Sequence, residues 1–181
     1  MKTRGRLARL RYRMISTTRG HVAAARAFGV SVGRDCRILS NIVTTEPWLI
    51  AIGDRVTVSS GVQFVTHDGA GWLARDHKGR RYRYAPIRVG SDVFIGTRST
   101  LMPGVEIGDR CVIGAGSIVT GSVPAGSVVA GVPARIIGSY DALEARMLRW
   151  PAQSDLGSGS YEEQVNSVVD QQMRPIVGRA S

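Results

Sequence analysis

The chain has 181 residues, 43% of them hydrophobic, which is long enough for one domain with a buried core and leaves little length for a second large domain. Aromatic residues make up only 6% of it while glycines number 22, a balance that favours thin, repetitive β structure over a core of bulky rings. No stretch is apolar enough for a membrane-spanning helix or typical of a signal peptide, so we expect a cytoplasmic protein.

Most of the net charge of +10 lies in the first residues, which predict a basic helical arm (residues 1–28). Leu7, Leu10 and Met14 have helical spacing, which is typical of an amphipathic helix. Two interpretations stay open: a solvated helix that caps the fold, or a helix peripheral to the anionic inner face of a membrane. Nucleic acid is not expected as a partner. The basic residues of the arm, which all precede the first acid, are Lys2, Arg4, Arg6, Arg9, Arg11, Arg13, Arg19 and Arg26.

A six-residue period of apolar residues follows the arm. An α-helix needs apolar spacing of three and four residues, so this period excludes a helix and predicts one short strand and one bend per hexad. Three hexads then close a triangular coil of about 18 residues with the apolar side chains inside. A glycine often follows the apolar residue of a hexad, and we expect it to supply the backbone freedom of the bend. The apolar positions are Val32, Ile38, Ile52, Val58, Phe64, Val89, Ile95, Leu101, Ile107, Ile113 and Val119.

Small residues fill the fifth place of each hexad, where the interior of the coil is crowded. Both cysteines, Cys36 and Cys111, fall at such places. We therefore expect their thiols to point inward, and the sequence favours neither a disulfide, nor a metal site, nor an acyl-enzyme on cysteine.

The period is interrupted twice. Ile38 and Ile52 are two residues further apart than two hexads, which predicts a bulge at a corner near Thr44 to Pro47. The second interruption is a long loop at about residues 70–88, and loops of this length are commonly functional. Its centre, from Arg75 to Pro86, is basic and aromatic, consistent with holding a polar or anionic ligand; a solvated loop is the alternative.

Past Val123 the coils end, and a C-terminal helix is predicted over residues 139–150, with Leu143, Met147 and Trp150 in helical spacing and Pro151 as its stop. Residues 151–181 are expected to form a flexible tail. Within it, residues 154–160 read as a linker, and residues 161–173 as a short helix or a disordered segment.

Several motifs in the coil region resemble those of the hexapeptide-repeat acetyltransferases, nearest to the maltose, galactoside and nodulation-factor O-acetyltransferases and to polysaccharide-modifying relatives. The resemblance covers about residues 30–138. It implies an all-β fold, a left-handed parallel β-helix of hexapeptide repeats with N-terminal and C-terminal helices, and a homotrimer with acetyl-CoA in the groove between two subunits. The motifs are Val65-Thr-His-Asp-Gly69, Pro86-Ile-Arg-Val-Gly90, Phe94-Ile-Gly-Thr97, Ile113-Gly-Ala-Gly-Ser117 and Ala130-Gly-Val-Pro-Ala-Arg135.

The same resemblance implies that His67 is the catalytic base of an O-acetyltransferase. A sugar hydroxyl attacks a thioester poorly unless a group with a near-neutral pKa removes its proton, and imidazole suits that task. For the acceptor site the resemblance points to Asn41 near the hydroxyl, and Glu46 and Asp68 are both candidates to orient the imidazole or contact the acceptor. Asn41 could equally be a turn residue. The sequence does not decide between the two acids.

For acetyl-CoA, the resemblance carries over Thr97, Ala115, Thr120 and Arg135. The small residues leave room for the pantetheine arm, the amide of Thr97 is a candidate donor to the thioester oxygen, and Arg135 suits a phosphate. Gly121 stands where many relatives have a lysine that contacts the cofactor.

Three other functions stay open. The first is N-acetylation of an amino sugar or a xenobiotic amine on the same scaffold. The second is a zinc enzyme of the carbonic anhydrase type, although His21, His67 and His77 lack close ligand spacing and no metal is expected. The third is a non-catalytic scaffold that binds membranes through the arm.

Overall fold

The computed structural model describes residues 2–42 and 44–173. Met1 of the predicted arm and residues 174–181 of the predicted tail lie outside the described residues, as do the side chains of Lys2, Arg4, Arg6 and Arg9.

The secondary structure consists of many two- and three-residue strands between helices. The helices are α1 (Lys2–Ala27), α2 (Tyr140–Met147) and α3 (Tyr161–Val168), with 3-10 helices at Pro47–Leu49, Gly69–Leu73 and Gln153–Asp155. The strands are β1 (Ser31–Val32), β2 (Arg37–Ile38), β3 (Ile50–Ile52), β4 (Thr57–Val58), β5 (Gln63–Phe64), β6 (His67–Asp68), β7 (Arg75–Asp76), β8 (Gly79–Arg80), β9 (Arg83–Tyr84), β10 (Ile87–Val89), β11 (Phe94–Ile95), β12 (Thr100–Leu101), β13 (Glu106–Ile107), β14 (Val112–Ile113), β15 (Ile118–Val119), β16 (Ser127–Gly131) and β17 (Ala134–Ser139).

Three parallel sheets form the walls of a coil. The first sheet has the order β1-β3-β10-β13, the second β2-β4-β11-β14-β16 and the third β5-β12-β15, while β17 adds antiparallel to β16. Paired residues in successive coils are 18 residues apart along the uninterrupted stretch, as in Phe94 with Val112 and Thr100 with Ile118. The chain is therefore a parallel β-helix with three hexads per turn, as the period predicted.

The core is a column inside this coil. Ile95, Leu101 and Ile113 are completely buried, and so are Ser99 and Cys111 at the small fifth place. Side chains alternate in and out along each strand, so the residue before each buried one faces outward. The predicted inward positions are confirmed along the uninterrupted stretch.

The glycines after the apolar residues serve a purpose other than the one expected. Gly96 does not have a positive φ; a Cβ added to it would lie 2.5 Å from the backbone nitrogen of Ala115 in the next coil. The left-handed backbone occurs two residues later, at Arg98 with φ 58°. The glycine therefore allows adjacent coils to approach closely, and the expectation that it supplies the freedom of the bend was wrong.

Helix α1 forms the predicted basic arm and packs against the first strands of the coil. Its helical geometry breaks at Gly20, where φ is 81° and ψ is 164°. Before the break, Tyr12 is 2% exposed and its hydroxyl accepts a hydrogen bond from the backbone N–H of Ile42 at 3.1 Å. After the break, Ala24 and Ala25 are fully buried. Both halves of the helix are thus anchored by buried side chains.

Among the described residues, 144–173 belong to a second compact unit, distinct from the unit of residues 2–42 and 44–143. Helix α2 ends at Met147, three residues before the predicted end at Trp150. Within the second unit, α3 begins at a capping box in which Ser160 and Glu163 satisfy each other's backbone N–H groups. None of the described helices is both long and apolar enough to cross a membrane.

Candidate active site

A loop of residues 67–86 leaves the coil after the third sheet and folds back on itself. Strand β6 pairs antiparallel with β9, so that His67 lies opposite Tyr84. Inside this pair, β7 and β8 form a second short hairpin. The loop starts three residues earlier than predicted and ends before β10, because residues 87–89 belong to the first sheet of the coil. His67 is therefore the first residue of the loop.

The imidazole of His67 lies against a carboxylate. Its Nδ1 is 3.0 Å from Oε2 of Glu46. The Glu46 side chain is only 13% exposed, whereas that of His67 is 47% exposed. The pair is thus buried on the carboxylate side and open to solvent on the imidazole side, where a substrate can approach.

Glu46 reaches the histidine because of the bulge predicted at this corner of the coil. The fully buried Thr66 donates a hydrogen bond of 2.7 Å to Oε2 of Glu46. Since the proton of Thr66 is used there, Thr44 is the donor in the 2.9 Å bond between the two threonine hydroxyls. Thr66 thus holds the carboxylate, and Thr44 in the bulge supports Thr66. Nothing in the sequence motif had singled out Thr66.

Charge on Glu46 is favoured in spite of its partial burial. Burial opposes its ionisation, but hydrogen bonds from Thr45, Thr66 and His67 outweigh this and hold the pKa of the carboxyl below its usual value. An ionised carboxylate can only accept hydrogen bonds, so Nδ1 of His67 carries the proton. The lone pair of the neutral ring is then on Nε2, which is the arrangement that a general base needs.

The other predicted acceptor residues have different positions. Asp68 accepts a hydrogen bond from the backbone N–H of Ala70 at 2.9 Å and caps a 3-10 helix, so it does not contact the imidazole. Asn41 is exposed and is not among the residues that line the cavity at His67. Of the two acids that the sequence left open, Glu46 is the one that contacts His67.

A cavity of about 530 Å³ opens at this pair. The loop supplies most of its wall. Tyr84 lies 5.9 Å from the imidazole between ring centres and at a tilt of 52°. Sequence reasoning had pointed to a basic and aromatic loop but not to these individual side chains, because only folding brings them together. The lining residues are Thr45, Glu46, His67, Asp68, Gly69, Trp72, Arg80, Arg81, Tyr82, Arg83 and Tyr84.

Three of the four residues expected to contact acetyl-CoA lie along another corner of the coil. Thr97 and Ala115 each follow a strand of the second sheet, and the carbonyl of Thr97 accepts from the N–H of Gly116 at 2.8 Å. Arg135 lies on β17, which extends the same sheet. Thr120 follows the third sheet, as His67 does. All four are exposed. One chain therefore presents the imidazole and most of the proposed cofactor surface on different corners.

The remaining histidines and the cysteines lie elsewhere. His21 is on α1, with its ring centre 6.5 Å from that of Tyr12, and His77 is exposed in the loop but does not line the cavity. Cys111 is buried, and burial raises the pKa of its thiol, which makes it a poor nucleophile. Across the described ranges, no three side chains of His, Cys, Asp or Glu form a group that could hold a metal ion.

Known proteins resemble the chain in sequence. A family profile described as the hexapeptide repeat of succinyl-transferase matches residues 86–121. Protein CapG of Staphylococcus aureus is 45% identical over 126 residues, which are 68% of this chain and 73% of CapG. The galactoside O-acetyltransferase of Escherichia coli (strain K12) is 36% identical over 60% of this chain, which spans 53% of that enzyme's length.

Among solved structures, a hexapeptide-repeat-containing acetyltransferase from Vibrio cholerae O1 biovar eltor, complexed with acetyl coenzyme A, matches with a TM-score of 0.55. It is 26% identical in sequence, and the match covers 76% of this chain and 88% of that chain. The similarity in structure thus extends over about three quarters of the chain.

Proposed function

Because the chain belongs to the hexapeptide-repeat acetyltransferase family, we propose that it transfers an acetyl group from acetyl-CoA to a hydroxyl of a sugar or glycan. The observation that carries the proposal is the Glu46 contact with His67 at the mouth of a cavity of about 530 Å³. The galactoside O-acetyltransferase and the acetyl-CoA complex among its relatives support the choice of acceptor and donor.

In this mechanism Nε2 of His67 removes the proton of the acceptor hydroxyl. The hydroxyl oxygen forms a bond to the thioester carbonyl carbon, and the tetrahedral intermediate then breaks its C–S bond. The imidazolium returns its proton to the departing thiolate, which leaves as free CoA, so no acyl-enzyme forms. The charge of Glu46 stabilises the imidazolium while it exists, because the two groups are 3.0 Å apart.

Acetyl-CoA is proposed to lie along the corner formed by Thr97, Ala115 and Arg135. The backbone amide of Thr97 would donate to the thioester oxygen as negative charge develops there, and Arg135 would bind a phosphate of CoA. Thr120, on the side of the coil that carries His67, completes the proposed cofactor contacts. Asn41 remains a proposed contact to the acceptor.

A complete site then requires more than one copy, since the imidazole and most of the cofactor surface lie on different corners of one chain. We propose a homotrimer of left-handed coils, with each site between two subunits. The outward residues of the second sheet supply apolar surface for contact, with Phe94 in register with Val112 and Val112 with Val128. A mass measurement by light scattering that gives a monomer would contradict this assembly.

The donor places the proposed reaction in the cytoplasm, and α1 offers a contact with the inner face of a membrane. Leu7, Leu10 and Met14 on this helix are 74%, 67% and 60% exposed, and they lie next to one another at helical spacing. Arg11 and Arg13 are exposed on the same segment. Co-sedimentation with vesicles containing anionic lipid, but not with purely zwitterionic vesicles, is the expected result; equal sedimentation with both, or with neither, refutes it.

The direct test of the function is to measure free CoA thiol with acetyl-CoA and a panel of sugars. We expect thiol release that depends on the acceptor, and a product whose acetyl group is lost under mild base, as esters are. An acetyl group that resists mild base would identify an amide and favour the N-acetyltransferase. Absence of acetyl-CoA binding in calorimetry would favour a scaffold without catalysis.

A further inference from the structure

The cavity beside His67 contains an arginine held between two aromatic rings. The guanidinium carbon of Arg80 lies 4.0 Å from the ring centre of Tyr82 and 4.8 Å from that of Trp72. Cation–π contacts of this kind hold a side chain in place without using its hydrogen-bond donors. Arg80 is therefore fixed in the wall of the cavity while its donors remain available.

Those donors have no partner among the residues that the structure describes. Arg80 makes no ion pair in residues 2–42 and 44–173, and its buried Nε donates to nothing there. A buried donor on a charged group that lacks an acceptor is costly. Because protein atoms enclose Nε, an oxyanion of a ligand would bind the terminal nitrogens of the guanidinium and offset its charge there. Arg83, which also lines the cavity, makes no ion pair within the same ranges.

The acids of the cavity wall do not compensate these charges. Glu46 is engaged by Thr66 and His67, and Asp68 accepts from the N–H of Ala70. The remaining arginine of the wall, Arg81, is paired with Asp76. Within the part of the chain that the structure describes, Arg80 and Arg83 thus remain at the cavity as two positive charges without an acidic partner.

A row of rings connects Arg80 to the imidazole. Tyr82 stacks on Tyr84 with ring centres 6.2 Å apart and planes at 12°, and Tyr84 in turn lies 5.9 Å from His67. Stacked rings give an apolar wall along which a sugar can lie. A single ligand can then contact the guanidinium at one end of the row and the base at the other.

We propose that the acceptor is an anionic sugar, whose carboxylate or phosphate binds Arg80, with Arg83 adding to the positive field, while one of its hydroxyls faces His67. This inference rests on the proposed function and specifies its substrate class. A guanidinium binds either oxyanion through two parallel hydrogen bonds, so the chemistry of the site suits both sources of charge.

The test is a binding experiment without acetyl-CoA. Methyl glucoside, glucuronate, glucose 1-phosphate and UDP-glucose are titrated into the full-length protein in a calorimeter, with Arg80→Gln and Arg75→Gln for comparison. Arg75 is a matched control because its guanidinium lies 5.4 Å from the Trp72 ring but does not line the cavity.

We expect at least one anionic sugar to bind about tenfold or more tightly than methyl glucoside. Arg80→Gln should remove that preference and Arg75→Gln should keep it. The glucuronate and glucose 1-phosphate arms separate carboxylate from phosphate recognition. Arg80→Lys keeps the charge without the planar fork, so it should retain part of the preference and thereby show that the loop is still formed.

Equal binding of methyl glucoside and the anionic sugars, or a preference that survives Arg80→Gln, would overturn the inference. This outcome differs from failure of the proposed function, which would appear as absent CoA release with every acceptor while the Arg80-dependent binding persists. Acetylation of a neutral sugar that is indifferent to Arg80 would leave the acetyltransferase standing and remove only the anionic acceptor.

Discussion

The coil and the loop of residues 67–86 use their side chains in opposite ways. In the coil, the short strands pair in parallel with strands of adjacent coils, and residues such as Leu101 and Ile113 are completely buried. In the loop, two pairs of two-residue strands and one short 3-10 helix form, and large side chains such as Trp72 and Leu73 are exposed. Stability therefore resides in the repeated part, whereas the loop presents side chains to a ligand.

The candidate catalytic pair lies at the places where the repeat is broken. Glu46 belongs to the bulge between Ile38 and Ile52, and His67 is the first residue after the coil gives way to the loop. A regular hexad fills its inward places with apolar or small residues and leaves little room for a buried charge. The two irregular segments supply what the coil cannot, a carboxylate and an imidazole in contact at 3.0 Å.

The largest expected effect is the loss of activity on removing His67 from the loop. His67→Ala should lower kcat/KM for acetyl transfer by roughly 100- to 10,000-fold, because the acceptor hydroxyl loses its general base. The thermal unfolding midpoint should barely change, since the imidazole is 47% exposed. His77→Ala, an exposed change in the same loop, is the control and should keep its activity. Steady-state kinetics that show full activity in His67→Ala would disprove the mechanism.

Truncation of a core side chain should lower the stability of the fold, which His67→Ala leaves nearly unchanged. Leu101→Ala removes a fully buried side chain from the coil and should lower the free energy of unfolding by about 2–5 kcal/mol. Leu73→Ala in the loop, where the side chain is 87% exposed, should change it by less than about 0.5 kcal/mol. Urea unfolding at one fixed protein concentration measures both, and similar losses in the two variants would mean that the loop carries part of the core.

A smaller loss of activity is expected when the carboxylate of Glu46 is replaced. Glu46→Gln should reduce kcat by about ten- to hundredfold, the value of one hydrogen bond to a charged group. Asp68→Asn is the matched control, because the amide oxygen can still accept from Ala70 and the activity should be largely retained. A larger loss of activity in Asp68→Asn than in Glu46→Gln would show that Asp68, and not Glu46, orients the imidazole.

The effect of Glu46→Gln on the free energy of unfolding should depend on pH. The pKa of Glu46 in the folded protein is below its ordinary value. Its ionisation therefore stabilises the fold at pH values above the ordinary pKa, and this contribution is lost as the pH falls through the pKa of the folded protein. The difference in unfolding free energy between the natural protein and Glu46→Gln should thus be larger at pH 7 than at pH 3. A difference that grows toward acid pH would contradict the direction of the shift.

Much of the site was visible as separate residues in the sequence. The family motif around His67 and the acidic position of Glu46 were both identified, but Asp68 was an equal candidate because sequence spacing does not show which carboxylate turns toward a ring. The sequence gives no signal for Thr66, since a buried threonine looks like any other small residue of the repeat. The sequence marks Arg80 only as part of a basic stretch.

The amino-acid sequence determined the coil, because a period of six fixes which side chains point inward and the burial of those side chains stabilises the stack. It also located both interruptions, since surplus residues cannot be fitted into a fixed period. Only the tertiary structure decided what the interruptions do. The contact of Glu46 with His67 and the position of Arg80 between Trp72 and Tyr82 depend on how two irregular segments fold back in space, and no periodic rule governs that path.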